Sequence, residues 1–429
     1  MNMPVALGKY AGARRSTWDS PGWQLGMALL LAVAAPGLVR VAVDPTQLNN
    51  ESLWASLAGT AGAVLLGVWW FRRFLNYPGV KALNNVVPAF VIFYGLALAI
   101  FFFARLDYSR FHFLASFVVC VVWFFAVSFR LQRRRHLRVG LVPFGLVDRL
   151  TQIGGITCIR LDQQTMHSDY DVIVADLRAE IPADWERFIT DAALRGVLVL
   201  HFKQVEESLT GRVSIEHLSE NNFGSLLPGL VYGRVKRAGD LAFSLLTAPL
   251  LFPLFVLLAV LIKLDSPGPA IFRQQRMGYR GRPFVMYKFR TMRHETELGP
   301  DDARRAAMTQ SADSRVTKVG RFLRRYRLDE LPQVLNILKG EMSWIGPRPE
   351  AVPLSLWYES ELAFYRYRHI VRPGITGWAQ VKQGHVAEVD EVLSKLHYDF
   401  YYIKNFSFWL DMLIVAGTLR TVISGHGVK

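Results

Sequence analysis

Two adjacent carboxylates, Asp329 and Glu330, stand at the end of a run of arginines, a grouping that suits the chemistry of phosphate esters. The two segments concerned read Arg321-Phe-Leu-Arg-Arg-Tyr-Arg-Leu-Asp-Glu-Leu-Pro-Gln333 and Ile345-Gly-Pro-Arg-Pro-Glu350. Guanidinium groups bind phosphate oxygens in a fork geometry, and a carboxylate can bind Mg²⁺ or attack phosphorus. The four-residue spacing of arginine and carboxylate also fits a solvated helix with ion pairs. The surrounding sequence decides between these two interpretations.

The composition indicates a membrane protein rather than a nucleic-acid-binding protein. The chain has 429 residues, of which 51% are apolar, a net charge of +15 and a mean hydropathy of +0.20. Because the basic residues flank apolar runs, we interpret the positive charge as a membrane signal. Cys120 and Cys158 both lie in apolar surroundings, which predicts small buried side chains and no disulfide or zinc site. The N-terminus shows no pattern of a cleaved signal peptide.

Four apolar segments in the first third are each about long enough to cross a bilayer as a helix. They are Trp23–Val43, Leu53–Phe71, Val86–Ala104 and Phe111–Phe129. Basic residues cluster before the first segment, between the second and third, and after the fourth, which predicts that both ends of this region are cytoplasmic. These residues are Lys9, Arg14, Arg15, Arg72, Arg73, Lys81, Arg130, Arg133, Arg134, Arg135 and Arg138.

The next region alternates strand-like and helix-like patterns, which predicts a parallel sheet of Rossmann type. The predicted strands are Arg138–Gly145, Gly155–Leu161, Tyr170–Asp176 and Val197–Phe202, with a helix at Trp185–Leu194. The glycine fingerprint of dinucleotide binding is missing after the first strand. Nucleotide binding and a packing or regulatory role both stay open for this module.

A fifth apolar run, Leu241–Leu264, is long enough to cross a membrane but contains Pro249 and Pro253 in its middle. Both flanks are basic, whereas a crossing segment has asymmetric flanks. We therefore predict a re-entrant helix that enters the cytoplasmic leaflet, breaks near Pro253 and returns to the same side. The aromatic segment Tyr398–Ile414 predicts a helix in the headgroup plane, with an ordinary buried helix as the alternative.

Eight motifs between about Lys236 and Ser424 follow one another in an order that resembles the bacterial sugar transferases. These are monotopic phosphoglycosyl transferases that act on polyprenyl phosphate. The motifs are Lys236-Arg-Ala-Gly-Asp240, the proline-containing helix, Ser266-Pro-Gly-Pro-Ala-Ile-Phe-Arg-Gln-Gln-Arg276, Tyr287-Lys-Phe-Arg-Thr-Met292, Leu328-Asp-Glu-Leu-Pro-Gln333, Asn336-Ile-Leu-Lys-Gly-Glu-Met-Ser343, Gly346-Pro-Arg-Pro349 and Arg372-Pro-Gly-Ile-Thr-Gly-Trp-Ala-Gln-Val381. The preceding spans and Rossmann-like module resemble the large subclass, which starts exopolysaccharide or capsule synthesis.

The resemblance implies the transfer of a sugar 1-phosphate from a UDP-sugar to undecaprenyl phosphate, with Mg²⁺ as the cofactor. Asp329 matches the family's nucleophile and metal ligand, and Glu330 matches its partner in the dyad. Arg324 and Arg348 match the arginines that bind phosphate. UDP-glucose and UDP-galactose are the donors expected for the large subclass, with N-acetylated hexoses as an open alternative. The subclass also implies a homodimer in the bacterial inner membrane, with its catalytic domain on the cytoplasmic face.

One position departs from the family pattern. Pro253 matches the proline that breaks the re-entrant helix, and Pro249 can share this role. A serine commonly precedes that proline, but this chain has Phe252. Since a serine hydroxyl can satisfy backbone groups freed at the break, the substitution affects the expected kink rather than the chemistry.

The sequence thus predicts a membrane protein with helical and α/β parts. Its predicted regions are a transmembrane four-helix bundle at 1–135, a Rossmann-like module at 136–232, and a catalytic domain at 233–429 with interfacial amphipathic helices.

Lys288 and Arg290 face either a phosphate or anionic lipid, and the sequence leaves this open. Arg273 and Arg276 are interpreted as headgroup contacts. A polytopic sugar phosphate transferase needs more spans, and a non-enzymatic scaffold or regulator of polysaccharide export has no use for the dyad.

Overall fold

The computed structural model describes residues 20–74, 82–134, 137–154, 156–162, 170–215, 228–293, 315–383 and 389–424. The chain divides into two units, Met1–Gly211 and Arg212–Lys429. Five residues that support the predicted orientation lie outside the described residues, namely Lys9, Arg14, Arg15, Lys81 and Arg135.

The first unit begins with four apolar helices, each long and apolar enough to cross a membrane. They are α1 (Pro21–Val43), α2 (Glu51–Phe74), α3 (Ala82–Phe103) and α4 (Arg110–Arg134). Phe90 of α3 and Phe124 of α4 are fully buried, with ring centroids 5.0 Å apart. Gly67 allows this packing, because a Cβ atom there would lie 2.6 Å from the Phe90 ring. Leucine and phenylalanine side chains cover the outward faces, as a lipid-facing surface requires.

The predicted parallel sheet is confirmed. Its strands are β1 (Leu137–Leu141), β2 (Ile156–Arg160), β3 (Val172–Ala175) and β4 (Leu198–His201). All neighbouring pairs are parallel, in the order β2-β1-β3-β4. Helices α5 (Ala183–Leu194) and α6 (Phe202–Thr210) belong to separate apolar clusters that include opposite sets of strand residues. The β3 segment is buried throughout, as expected for a central parallel strand.

The second unit begins with α7 (Leu230–Asp265), whose helical structure continues through Pro249 and Pro253. The predicted break therefore does not interrupt the helix, and the re-entrant path stays a prediction. The middle of α7 is exposed, with Leu250 and Phe252 at 76% and 67% of their full accessibility. On either side of this exposed stretch, α7 packs against the rest of the unit through residues such as Ser244 and Leu258.

Short elements follow α7 and form the core of the second unit. Strands β5 (Ile271–Met277) and β6 (Pro283–Phe289) form an antiparallel hairpin, and β7 (Ser343–Ile345) pairs in parallel with β8 (Gly374–Thr376). The helices are α8 (Lys318–Arg325), α9 (Val334–Lys339), α10 (Val352–Glu361), α11 (Trp378–Lys382), α12 (Val389–Lys404) and α13 (Phe408–Ser424). A 3₁₀-helix, Leu328–Gln333, connects α8 to α9.

Many apolar side chains of the aromatic segment near the C-terminus are buried in protein. Phe400 and Tyr402 of α12 and Leu410 and Ile414 of α13 are buried within the unit. These side chains fit the alternative of ordinary buried helices, and the position of the segment in the headgroup plane stays a prediction. Their pattern reflects packing against protein, since a protein core and a lipid boundary both select apolar side chains.

Candidate active site

The dyad stands in a strained turn between two short helices. Thr317 caps α8, its hydroxyl oxygen accepting a hydrogen bond from the Gly320 N–H at 2.9 Å. The helix ends at Arg325, and Arg327 then adopts the left-handed region with φ of 54°. Such a backbone costs on the order of 1–3 kcal/mol in a residue other than glycine. The turn starts the 3₁₀-helix that carries Asp329 and Glu330 in its first turn.

Glu330 is buried among three basic side chains. Its Oε1 atom lies 2.8 Å from an Arg348 Nη atom and 3.4 Å from Lys288 Nζ. Arg327 lies 3.9 Å from Oε2. Burial favours a raised pKa for Glu330, but Arg348, Lys288 and Arg327 overcome this and hold the pKa far below its usual range. Glu330 is therefore ionised at neutral pH and attracts cationic groups to the dyad.

Asp329 has the opposite electrostatic environment. It is half-buried, and burial together with the negative charge of Glu330 raises its pKa above the usual value. Lys288, Arg348 and Arg324 oppose this rise and favour the ionised form. A carboxylate with a raised pKa is a better nucleophile once ionised, and the surrounding cations keep that form accessible.

The structure brings Lys288 to the dyad. Burial, followed by the charge of Arg348, lowers the pKa of Lys288 to about 8. Asn336 of α9 fixes the strand that carries this lysine, because it accepts a hydrogen bond from the Tyr287 N–H at 3.1 Å and donates to the Val285 carbonyl at 2.7 Å. Sequence reasoning missed this positioning role, although Asn336 begins one of the quoted motifs.

The turn that carries Arg348 is fixed from behind by two buried arginines. Arg276 donates to the Pro349 carbonyl at 2.8 Å, and Arg368 donates to the Arg348 carbonyl at 2.8 Å. The prediction that Arg276 contacts lipid headgroups is therefore wrong, because its guanidinium is buried against this turn. Sequence reasoning did not identify Arg368, which stands outside the quoted motifs.

Arg290 is close in sequence to Lys288, and Arg324 is close in sequence to Asp329, but the two arginines differ in their contacts. Arg290 is buried, and its terminal nitrogens donate to the carbonyls of Ser266 and Pro267 at 2.6 and 2.7 Å. It therefore fixes the turn after α7, and the expectation that it faces a phosphate or lipid is not supported by this geometry. Gly268 makes room for it, because a Cβ atom there would lie 2.2 Å from an Arg290 nitrogen. Arg324 donates to the Thr291 hydroxyl at 3.0 Å and contributes to the field at Asp329.

The dyad residues fit a divalent cation that is shared with a substrate. Among the described residues, the buried Oε2 atom of Glu330 has no hydrogen-bond partner, and Asp329 stands beside it. Among the described residues, no group of three or more histidine, cysteine or acidic side chains could enclose a metal. Mg²⁺ characteristically binds one or two carboxylates and takes its other ligands from water and substrate phosphates. Asp329, with Glu330 beside it, provides such an open set.

Comparison with known proteins identifies the family. Residues 231–425 match the model described as bacterial sugar transferase. The UDP-N-acetylgalactosamine-undecaprenyl-phosphate N-acetylgalactosaminephosphotransferase of Aeromonas hydrophila is 42% identical over 97% of this chain and 99% of its own length. The chain therefore belongs to the bacterial sugar transferase family and is a transferase. This confirms the resemblance inferred from the motifs.

Two further relatives match less than half of this chain. The UDP-glucose:undecaprenyl-phosphate glucose-1-phosphate transferase of Caulobacter vibrioides is 42% identical over 47% of this chain and 74% of its own length. The Escherichia coli protein of the same name is 43% identical over 43% of this chain and 39% of its own length. The names of these relatives share an acceptor, undecaprenyl phosphate, and differ in the sugar.

Proposed function

We propose that this chain transfers a sugar 1-phosphate from a UDP-sugar to undecaprenyl phosphate through a covalent intermediate on Asp329. The observation that carries the proposal is the dyad itself. One carboxylate is held ionised by Arg348 and Lys288, and its neighbour has a raised pKa within the same cationic field. An ionised carboxylate next to an excess of cations is suited to attack a phosphorus that carries negative charge.

In the first step, Arg348 and Lys288 bind oxygens of the diphosphate and neutralise their charge. An Asp329 carboxylate oxygen attacks the β-phosphorus, and the bond from that phosphorus to the bridging oxygen breaks. UMP leaves with the electron pair, and the sugar phosphate stays on Asp329 as an acyl phosphate. Glu330 acts as a positioning residue, because its contact with Arg348 at 2.8 Å sets the direction of that guanidinium.

In the second step, a phosphate oxygen of undecaprenyl phosphate attacks the phosphorus of the acyl phosphate. The bond between the Asp329 oxygen and phosphorus breaks, which restores the free carboxylate and gives undecaprenyl-diphosphate-sugar. No proton needs to be transferred in either step. Mg²⁺ bound to Asp329 and substrate phosphates would supply further neutralisation of the diphosphate charge.

Contacts at both ends of α7 support a re-entrant path next to the site. A straight helix of 36 residues would measure about 54 Å. Arg237 near its start donates to the Ile337 carbonyl at 2.6 Å, and Asp265 at its end accepts from the Val319 N–H at 3.2 Å. Both partners belong to the second unit, whereas a membrane crossing would place the two ends of α7 on opposite faces. Together with the exposed apolar middle, this favours insertion and return on the cytoplasmic side.

The topology that follows is a multi-pass protein of the bacterial inner membrane. The four apolar helices of the first unit, with basic residues such as Arg72, Arg73 and Arg130 at their ends, support a transmembrane bundle with cytoplasmic termini. The catalytic domain then faces the cytoplasm, where UDP-sugars are made. The homodimer implied by the large subclass stays a prediction.

The donor sugar is proposed from the relatives. A relative that matches nearly the whole chain is named for N-acetylgalactosamine, whereas two relatives named for glucose match less than half of it. UDP-N-acetylgalactosamine is therefore the first donor to test. UDP-glucose and UDP-galactose follow, and the product would serve as the first lipid-linked sugar of an exopolysaccharide or capsule.

The test combines a turnover assay with trapping of the intermediate. Purified full-length protein is incubated with Mg²⁺ and each UDP-sugar, and UMP release is measured with and without undecaprenyl phosphate. Without the lipid, we expect one sugar phosphate on Asp329, detected by mass spectrometry of peptides from the wild type and absent from Asp329→Asn. Product formation without this adduct would contradict the covalent mechanism, and the absence of UMP release with every donor would contradict the transferase assignment.

A further inference from the structure

A second pocket in the catalytic unit, separate from the dyad, has an unusual concentration of basic side chains. It has a volume of about 360 Å³ and lies between the start of α7 and the segment that precedes β8. Its polar and aromatic lining includes Arg234, Lys236, Arg237, Asp240, Tyr279 and Arg372. The pocket lies beside the C-terminal end of α9, because its arginines bond the carbonyls there, whereas the dyad precedes the N-terminal end of that helix.

Two arginines of the pocket converge on the last carbonyls of α9. Arg237 donates to the Ile337 and Leu338 carbonyls at 2.6 and 3.1 Å. Arg372 donates through Nε to the Gly340 carbonyl at 3.0 Å. Within the described part of the chain, neither arginine forms an ion pair with a carboxylate, in contrast to Lys236, which is paired with Asp411. Burial and the charge of Arg372 lower the pKa of Arg237, and the nearby carboxylate of Asp240 opposes this without pairing with either guanidinium among the described residues.

Capping of α9 does not account for the whole cluster. Cations at a helix C-terminus are stabilised by the carbonyl dipoles, and this explains Arg237. In the described residues, however, Arg372 uses only Nε in a hydrogen bond, and its guanidinium carbon lies 5.0 Å from the centre of the Tyr279 ring. Arg234 is exposed at the rim. These donors are available to a ligand after the helix has been capped.

We propose that this pocket binds a phosphate-bearing group, supplied either by an anionic phospholipid headgroup or by a soluble nucleotide. Four basic side chains line it against one carboxylate, so an anion is attracted. Paired guanidinium groups bind phosphate oxygens in a fork geometry, and the volume is within the range of small-ligand sites. Val231 and Val235 of α7 are 79% and 61% exposed near the pocket, which gives a lipid ligand an apolar surface for its chains.

The lipid arm of the test uses native mass spectrometry of the full-length protein in a neutral detergent. Dioleoyl phosphatidylglycerol is added to the wild type and to Arg372→Gln, with dioleoyl phosphatidylcholine as the neutral lipid. We expect retention of phosphatidylglycerol to fall about tenfold in R372Q, since the variant loses charge-assisted hydrogen bonds to the phosphate. Arg187→Gln removes an equal charge from an exposed position in the first unit and serves as the matched control.

The nucleotide arm uses titration calorimetry with UMP. It is carried out in an Arg348→Gln background, which weakens anion binding at the dyad, so that the second pocket dominates the signal. Loss of UMP binding on adding R372Q, with unchanged lipid retention, would assign the site to a soluble nucleotide. The reverse pattern would assign it to a lipid headgroup. Both readouts are independent of turnover, so they do not depend on the proposed catalytic function.

Unchanged binding of both probes would overturn the proposal and leave the arginines as a helix cap only. If R372Q does not fold, Arg234→Gln at the exposed rim and the charge-conserving Arg372→Lys replace it. We expect a loss of about threefold for R234Q and a smaller loss for R372K than for R372Q, because lysine keeps the charge but loses the fork. Wild-type affinity in both R234Q and R372K would likewise overturn the proposal.

Discussion

The catalytic unit contains two buried clusters of carboxylates and cations that face the same turn from opposite sides. In front, Glu330 contacts Arg348 and Lys288, and its second oxygen has no hydrogen-bond partner in the part of the chain that the structure describes. Behind, Arg368 donates to Asp399 at 2.9 and 3.1 Å and to the Tyr365 hydroxyl at 2.8 Å. Both side chains of the Arg368–Asp399 pair are only 2% exposed.

The difference lies in how completely each cluster satisfies its own charges. The rear cluster is closed, since Asp399 meets Arg368, and Glu350 meets Lys395. The front cluster keeps, within the described residues, an unsatisfied acceptor on Glu330, and its second carboxylate, Asp329, has a raised pKa. A closed cluster stabilises geometry, whereas an open one is suited to take up a ligand that completes it. The four predictions below test this contrast.

Replacing Asp329, the proposed nucleophile, should have the largest effect. We expect Asp329→Asn to lower UMP release by about 10³-fold or more, because removing a nucleophile eliminates the covalent route. The fold should be kept, since the substitution removes a half-buried charge whose pKa burial raises. UMP release and thermal melting are measured in parallel. A variant that loses melting temperature as well as activity would show that the front cluster is structural like the rear one.

Opening the rear cluster should destabilise the unit. Arg368→Gln leaves Asp399 buried without its cation, which we expect to lower the free energy of unfolding by about 3–5 kcal/mol. The control Arg187→Gln breaks an exposed pair with Asp184 and should cost less than about 1 kcal/mol. Thermal melting of the full-length protein in detergent measures both. Equal melting temperatures for R368Q and R187Q would contradict a structural role for the rear cluster.

Changing the guanidinium of the front cluster should reduce turnover without unfolding the protein. Arg348→Lys keeps the charge but loses the fork that contacts Glu330 at 2.8 Å. We expect kcat/KM to fall about 10- to 100-fold, because hydrogen bonds to charged groups contribute about 1.5–3 kcal/mol each. The melting temperature should stay within a few degrees of wild type. Wild-type kcat/KM in R348K would show that Arg348 contributes charge alone.

The smallest effect concerns pH. Burial lowers the pKa of Lys288 to about 8, so its charge, and with it kcat/KM, should be lost as the pH rises through about 8. Lys288→Arg should move this alkaline limb to higher pH because arginine stays protonated. Stability should respond with the opposite sign. The unfolded chain binds the Lys288 proton more tightly than the folded chain does. The free energy of unfolding should therefore rise as the pH increases from about 8 to about 10.5. An unchanged alkaline limb in K288R would exclude Lys288 as its origin.

The sequence determined those features that depend on neighbouring residues or on the length of a run. Asp329 and Glu330 are adjacent in the chain, so they form a pair in any fold. Five apolar runs long enough for a membrane were readable from length and composition. The strands of the parallel sheet followed from their alternation with helical segments, and the structure confirms them.

Tertiary structure decided which charged side chains meet. Lys288 and Arg290 are two residues apart and looked equivalent in sequence, yet β6 ends at Phe289. Lys288 therefore stays on the strand that packs against the dyad, while Arg290 turns towards the end of α7. Arg368 donates to the Arg348 carbonyl although the two residues are 20 positions apart in the chain. No local sequence pattern predicts this contact.

Tertiary structure also decided what covers each apolar face. Aromatic rings of α12 such as Phe400 and Tyr402 are buried in protein, while Phe322 and Tyr326 beside the dyad are exposed. Sequence cannot distinguish these cases, because apolar side chains gain similar free energy from leaving water for lipid or for protein. Adjacent residues and run lengths are local properties of a chain. Partners and covering surfaces are set by contacts between distant segments, and only the folded structure assigns them.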